Sequence, residues 1–378
     1  MARDVGGRLV GLLVVIGLAA ACGGRAPAPL NIGLLVPLTG RAAPQGEYAR
    51  NGAELAVREI NAAGGVQGRS VQLVAEDSQS TEAGGVPAYQ KLSVADRVAV
   101  SVGLLNPVVV QAAGLAARHD TILLNLDAQD PQLRKLDSAH VFSLVPDATM
   151  EASRMARYAF ETAHWRRVAT MYLENDPGVT AVRAFAEAFR RLGGTIVLEE
   201  MVDKNKELAK LPESMARVRA AAADAIYLVA PPRLKFRALR FADDAGWRAT
   251  WLTDASMELD AQSEALGRIA DGVTYTFVRP FIAEGADAAR FDAAYRRRYA
   301  IAPEHYAATA YEAVYAIKAA VERAHGGVAG EALSQGLQDA PIAGLSQPLD
   351  FRASRFLDRP LEVRRIGAKG SVVIEGAR

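Results

Sequence analysis

Residues 31–80 constrain the fold more than any other stretch of the chain. They read NIGLLVPLTG RAAPQGEYAR NGAELAVREI NAAGGVQGRS VQLVAEDSQS. Ile32 to Val36 is an apolar run without alternation, which suits a parallel strand covered on both faces. Pro37 to Gly46 is rich in Pro, Gly and Thr and reads as a loop. Tyr48, Gly52, Leu55, Ala56 and Ile60 then recur at the spacing of one helix face. Ala63-Gly64-Gly65 stops that helix, because glycine enters the left-handed cap without a Cβ clash. Val71 to Ala75 reads as a second strand, closed by Glu76 and Asp77. Such a strand-helix-strand unit puts its first loop at the carboxyl end of the first strand, the edge where open α/β sheets hold ligands.

The same rhythm continues. Helices are expected over 82–96 and from Asn106 to about Ala117, with strands over 98–103 and 121–126 and an exit loop from Asp127 to Pro131. Asn106 suits an N-cap and Pro107 a first helical residue. A second set follows, with helices over 148–161, 179–192, 211–222 and 234–245. Its strands fall at 168–173, 195–201, 225–229 and 251–253. Helices over 291–299 and 307–324 and a terminal hairpin over 361–374 complete the chain. Alternation of this kind means βαβ units and mainly parallel sheets.

With 378 residues, half of them hydrophobic, the chain can build two domains, each with its own core. Net charge is +1, and the densest basic run, Arg296 to Arg298, reads as a solvated helix face, so no nucleic-acid partner is expected. The N-terminus reads as a targeting segment: Arg3 and Arg8 precede an apolar stretch, Leu9 to Ala21, too short to span a bilayer. Leu18-Ala19-Ala20-Ala21-Cys22 resembles a bacterial lipoprotein processing site, with Ala19 where a leucine is usual. The alternative is an ordinary secretory signal cut near Ala21. Gly23 to Leu30 reads as a tether. Cys22 is the sole cysteine, so the mature fold is expected to hold no disulfide, thiolate metal site or cysteine nucleophile.

Four features together carry a resemblance: "IGLLVPLTG", the spaced "GEYARNGAELAVREINAAGGVQGRSVQLVAEDSQ", the closing Glu76-Asp77, and "PEHYAATAYEAVYAIKAA" with Tyr306, Tyr311, Glu312 and Ala313. On these the chain resembles the type I periplasmic binding proteins, in particular the leucine/isoleucine/valine-binding or amide-binding branch of ABC-transporter solute receptors, in a lipoprotein form. The resemblance implies an α/β fold of two Rossmann-like lobes with parallel sheets, joined by three crossover strands. It places a signal peptide at 1–22, a tether at 23–30, lobe one at 31–143 with 279–345, and lobe two at 144–278 with 346–378. The crossings are expected near Val141–Pro146, Val273–Phe281 and Pro341–Phe351. It further implies a small-molecule ligand captured in the interlobe cleft by hinge closure, and an ABC permease in the inner membrane as partner. The location it implies is the periplasmic side of a bacterial cell envelope, with a lipid anchor at Cys22. No cofactor or metal is implied.

The expected ligand-binding residues are strand-exit positions: Thr39, Leu105, Asn106, Asp127 and Gln129 on lobe one, and Asn175, Pro231 and Asp254 on lobe two. The Asn106 turn exposes helix-start N–H groups suited to a carboxylate; Asn106 either contacts that carboxylate or caps its own helix. Asp127 and Asp254 read equally as turn formers. In the amino-acid-binding branch a serine and a threonine hold the ligand carboxylate. Here the matching turn is Asn106-Pro107-Val108 and the matching loop position is Gln129. The covering tyrosines align with Pro177 and Pro231, and only Asp254 stands where an acid would take the ligand ammonium. The ligand is therefore expected to be an amino acid, an amide or a related organic acid. A different role for the same fold is an outer-membrane lipoprotein that activates a cell-wall synthase, or a ligand sensor. Gly23, where an inner-membrane retention signal would put Asp, leans toward the outer membrane. The chain has no G-x-S-x-G elbow, H-E-x-x-H or P-loop, and its five histidines are scattered, so an enzyme is not expected.

Overall fold

The computed structural model describes residues 27–174, 176–203, 205, 207–257, 267–278, 285–368 and 370–376. The expected processing and lipidation segment with Cys22, and Asn175, lie outside them. The first half runs β1 (Leu30–Val36), α1 (Ala43–Ala62), β2 (Val71–Asp77), α2 (Glu82–Gln90), β3 (Val100–Gly103), α3 (Asn106–Ala116), β4 (Ile122–Asn125), α4 (Gln132–Lys135) and β5 (Val141–Ser143). The second runs α5 (Ala148–Arg157), β6 (Arg167–Leu173), α6 (Asp176–Arg191), β7 (Thr195–Val202), α7 (Glu207–Ala220), β8 (Ala225–Val229), α8 (Pro232–Asp244), β9 (Trp251–Thr253) and β10 (Thr274–Val278). Then come α9 (Ala286–Tyr299), α10 (His305–Arg323), α11 (Gly330–Gln338), β11 (Leu361–Gly367) and β12 (Gly370–Glu375).

Two sheets result. The first has order β2-β1-β3-β4-β5, with every pair parallel. The second repeats that order as β7-β6-β8-β9-β10 and adds β11 and β12 as an antiparallel hairpin. The apolar run of β1 explains why its sheet is covered twice. Leu30, Ile32, Leu34 and Val36 join the core beneath α1, α9 and α10, whereas Leu35 joins the core beneath α2 and α3. Lobe two is built likewise, with α7 and α8 over one face and α5 and α6 over the other. Each fully buried Leu, Ile or Val adds about 1.5–3 kcal/mol.

The expected helix continuations over 82–96 and 148–161 close as single π turns, at Lys91–Ala95 and Tyr158–Thr162. Three differences from the sequence expectation stand out. Helix α3 begins at Asn106, and its cap is Leu105, held at φ 79°. The chain stays on the first lobe longer than 345: Ser143 N–H donates to the Arg355 carbonyl at 2.8 Å, and Leu357 N–H to the Ser143 carbonyl at 3.0 Å. The third crossing therefore lies between Leu357 and Leu361, not at 341–351. Helix α11 was not expected, because Gly330 and Gly336 weaken helix propensity. It forms by packing: a Cβ on Gly336 would stand 2.5 Å from the Ala320 carbonyl of α10, so only glycine allows the approach.

The first crossing, Ser143 to Asp147, ends on a strong cap: Asp147 Oδ1 accepts from the N–H groups of Thr149 at 3.0 Å and Met150 at 3.1 Å. The second crossing, expected near Val273–Phe281, falls partly on residues 279–284, which lie outside the described ones. Among the described residues no helix is long and apolar enough to cross a membrane.

Candidate functional site

In both sheets the strand order reverses at the first strand, between β1 and β3 and again between β6 and β8. Ligands of open α/β sheets bind at the carboxyl ends beside that switch point. The loops there are those after β1, β3 and β4 in one lobe and after β6, β8 and β9 in the other.

After β1, Thr39 is tied back to the neighbouring strand. Its Oγ1 donates to Asp77 Oδ2 at 2.6 Å and its N–H to Oδ1 at 3.2 Å, with Leu38 N–H donating at 2.8 Å. Burial alone would raise the Asp77 carboxyl. The Thr39 hydroxyl and the N–H groups of Gln79, Leu38 and Thr39 outweigh it and hold the group below the ordinary range. Thr39 thus rigidifies the rim, and its hydroxyl proton is already used.

After β3, the left-handed Leu105 turns the chain sharply into α3. The Asn106 side chain neither caps α3 nor turns away. Its Oδ1 accepts from Gln129 N–H at 2.7 Å and Asp130 N–H at 3.2 Å, clamping the loop after β4. The expectation that Asn106 caps its own helix is corrected here. The acceptor it offers matches two parallel N–H groups of the next loop better than any donor in its own first turn.

Gln129 is where the two lobes meet. Its carbonyl accepts from Ala148 N–H at 2.9 Å, and its Nε2 donates to Glu151 Oε1 at 2.5 Å. Glu151 lies in the first turns of α5, only 1 % exposed. Its other oxygen accepts from Ala255 N–H at 3.4 Å and Thr276 Oγ1 at 3.5 Å. Burial first, then the charge of Asp254, push this carboxyl up to about 8. Glu151 is therefore mostly protonated at neutral pH. The Tyr227 phenol beneath is raised by burial, then by Asp254 and Glu151.

Asp254, at the end of β9, is also occupied. The ammonium of Lys235 donates to its Oδ1 at 2.9 Å and to Ser256 Oγ at 2.6 Å. The Lys235 side chain is 2 % exposed and that of Asp254 21 %. Pro231 positions the lysine: it caps α8, and its carbonyl accepts from Leu234 N–H at 2.9 Å and Lys235 N–H at 3.2 Å. A cation in the first turn of a helix opposes the helix dipole, so Asp254 is what stabilises the ammonium there. His305 makes a second link between lobes: within lobe one its Nε2 stands 3.4 Å from Asp127 Oδ1, and its ring packs edge-to-face with Phe277 on β10 of lobe two, with centroids 6.2 Å apart.

The structure thus joins Asn106 and Gln129, through Glu151, to the loop that carries Asp254, sets Asp127 against His305, and leaves Thr39 and Pro231 as rim residues. Asn175 lies outside the described residues. Sequence reading missed Glu151, Lys235 and His305. The signal was there for two of them: Glu151 and Lys235 are charges on buried helix faces, beside Met155 and Leu239. Among the described residues no three His, Cys, Asp or Glu side chains gather as a metal site.

Comparison with known proteins agrees with this architecture. A family model described as periplasmic binding protein matches residues 29–371. A Leu/Ile/Val-binding protein homologue of Brucella melitensis is 27 % identical over 354 residues, 93 % of this chain and 94 % of that one. Among solved structures, a substrate-binding protein of Desulfitobacterium hafniense in complex with Leu has a TM-score of 0.79 at 24 % identity, covering 92 % of this chain and 100 % of that one. A solute-binding protein from R. palustris in complex with benzoate has a TM-score of 0.77 at 19 % identity, covering 93 % and 97 %. The doubled strand order and a family match over nearly the whole chain lead to one assignment: this chain belongs to the periplasmic binding protein family.

Proposed function

We propose that the protein is the solute receptor of an ABC transporter and that its ligand is a small organic acid without an α-ammonium group. The observation that carries the ligand class is the Lys235–Asp254 pair at 2.9 Å. Asp254 is the acid that would receive a ligand ammonium, and a buried lysine of the chain already fills that place. A second ammonium there would meet a neutralised carboxylate and a like charge. The carboxylate of the ligand docks at the start of α3 on the Asn106 N–H, since Pro107 has none and those of Val108 and Val109 already donate to the Leu105 carbonyl at 3.2 and 2.9 Å, and Lys235 and Ser256 face it from the other lobe. No covalent step is needed, because closure is driven by contacts that both lobes make at once.

Titration calorimetry with 4-methylpentanoate and leucine, which share a skeleton and differ in the ammonium, tests this. Tighter binding of 4-methylpentanoate supports the reading; saturable heat from leucine alone overturns it. The printed names of the relatives favour a second reading, a branched-chain amino acid, and that outcome would establish it. Those names give no support to an activator of a cell-wall synthase.

The same reading makes Cys22 the lipid anchor, holding the receptor on the outer face of the membrane through residues 23–30. Cys22→Ala in the producing cell should move the protein from the membrane to the soluble fraction. An unchanged distribution would leave an ordinary cleaved signal.

A further inference from the structure

Glu151 sits in the first turn of α5, just past the first crossing, and is buried between the lobes. One of its carboxyl oxygens takes the Gln129 Nε2 donor from the loop after β4. The other faces Ala255 N–H, next to Asp254, and Thr276 Oγ1 on β10. Gln129 is itself fixed on lobe one, where Asn106 Oδ1 accepts its N–H at 2.7 Å. A chain of hydrogen bonds therefore runs from the start of α3, through Gln129 and Glu151, to the loop that carries Asp254. Its two ends are the two places that face the ligand carboxylate in the receptor reading.

We propose that Glu151 is a positioning residue that latches the lobes: its carboxyl holds the loop after β4 to the loop after β9, and parting the lobes opens the latch. The proposal deepens the receptor reading and rests on it only where the ligand enters. The latch also responds to a proton. The charges facing Glu151 are the carboxylates of Asp254, after β9, and Asp127, after β4. The bases beside them are turned to them, Lys235 on α8 to Asp254 at 2.9 Å and His305 on α10 to Asp127 at 3.4 Å. Tyr227 on β8 faces Glu151 as a neutral phenol, and Arg154, further along α5, is bound to the Leu361 carbonyl and Glu375. An ionised Glu151 is thus one more carboxylate beside two others, and water reaches it only when the lobes part. The latched state keeps its proton up to about pH 8, whereas an opened one loses it near the ordinary 4.5. Each pH unit between these values disfavours the latch by up to about tenfold.

The test reads the interlobe distance in the full chain without ligand. Cys22 is the sole cysteine, so Cys22→Ser gives a background for spin labels at Glu82→Cys on α2 and Arg237→Cys on α8, both exposed positions. Pulsed electron resonance should show one short distance at pH 6 and a population of longer distances at pH 8.5. Glu151→Gln, which has no proton to lose, should stay short at both, and Gln129→Leu, which removes the partner on lobe one, should show the longer distances already at pH 6. Calorimetry with 4-methylpentanoate adds the ligand: between the same two pH values binding should weaken by about tenfold or more in the parent and stay nearly constant in Glu151→Gln. Identical distances at the two pH values, the same shift in Glu151→Gln, or parent binding that ignores pH would each overturn the proposal. The second of these would assign the shift to Asp127 and His305. A distance shift confined to the parent, with no binding of 4-methylpentanoate, would support the latch and overturn the ligand class instead.

Discussion

The guanidinium of Arg359 donates to the carboxylate of Glu312 at 2.6 Å, and each side chain is 1 % exposed. The pair joins the third crossing to α10. It also gathers the segments beside it: Arg359 Nε donates to the Leu144 carbonyl at 2.6 Å, and Leu345 N–H donates to Glu312 Oε1 at 2.7 Å. Both charges are therefore compensated and hydrogen-bonded, the condition under which a buried pair is tolerated. Removing one partner strands the other. Glu312→Gln and Arg359→Met should each destabilise the protein by about 3–5 kcal/mol, measured by urea unfolding, with the double variant less affected than the two losses summed.

Glu151 gives a pH dependence with a definite sign. Its carboxyl ordinarily ionises near 4.5 and in the folded protein near 8. Between these values the folded state holds a proton that the unfolded state has lost, so stability is greatest below 4.5, falls as pH rises toward 8, and then levels off. The full difference is at most about 5 kcal/mol. Glu151→Gln keeps an acceptor for Gln129 Nε2 and the shape of the side chain, and removes the titration. Its unfolding free energy should lose this decline between pH 5 and 8, so that the variant overtakes the parent near pH 8. Parallel pH profiles for the two proteins would contradict the assignment.

Two glycines on helices that cover opposite faces of the first sheet predict opposite outcomes. A Cβ on Gly52 of α1 would stand 1.9 Å from the Ala307 carbonyl of α10, whereas one on Gly114 of α3 meets nothing within 4 Å. Gly52→Ala should cost about 1–3 kcal/mol through overpacking despite better helix propensity. Gly114→Ala should gain about 0.5–1 kcal/mol. Thermal unfolding of both variants separates packing from propensity.

Asn106 separates loop support from ligand charge. Asn106→Ala removes the acceptor of Gln129 and Asp130 and leaves two N–H groups unpaired, a loss of about 1–3 kcal/mol. Asn106→Asp keeps that acceptor and should keep the stability. It adds a negative charge beside the start of α3, and binding of an organic acid should weaken by more than about tenfold. Equal weakening in both variants would mean that Asn106 acts only through the loop.

How far these features were legible in the sequence depends on how local their causes are. Strand β1 and helix α1 could be read directly, because an unbroken apolar run and a periodic face each declare their element. The family helix around Tyr311 and Glu312 was visible as a motif, but Arg359 lies 47 residues further on, and nothing local announces such a pairing. The cap expected of Asn106 does not form, because the N–H groups it serves belong to a loop after the next strand. Lys235 and Glu151 went unread because a charge on an apolar face looks like an interruption until its partner, Asp254 or Gln129, is folded against it. Helix α11 was hidden by the glycines that let it pack.

The central claim is that a small acid is held between the two lobes, with its carboxylate at the start of α3 and Lys235 opposite. A crystal structure of the protein with 4-methylpentanoate tests it most directly. The carboxylate is expected within hydrogen-bond reach of the Asn106 N–H at the start of α3, with Lys235 still paired to Asp254. A ligand bound elsewhere, or with its acid group turned away from α3, would contradict it.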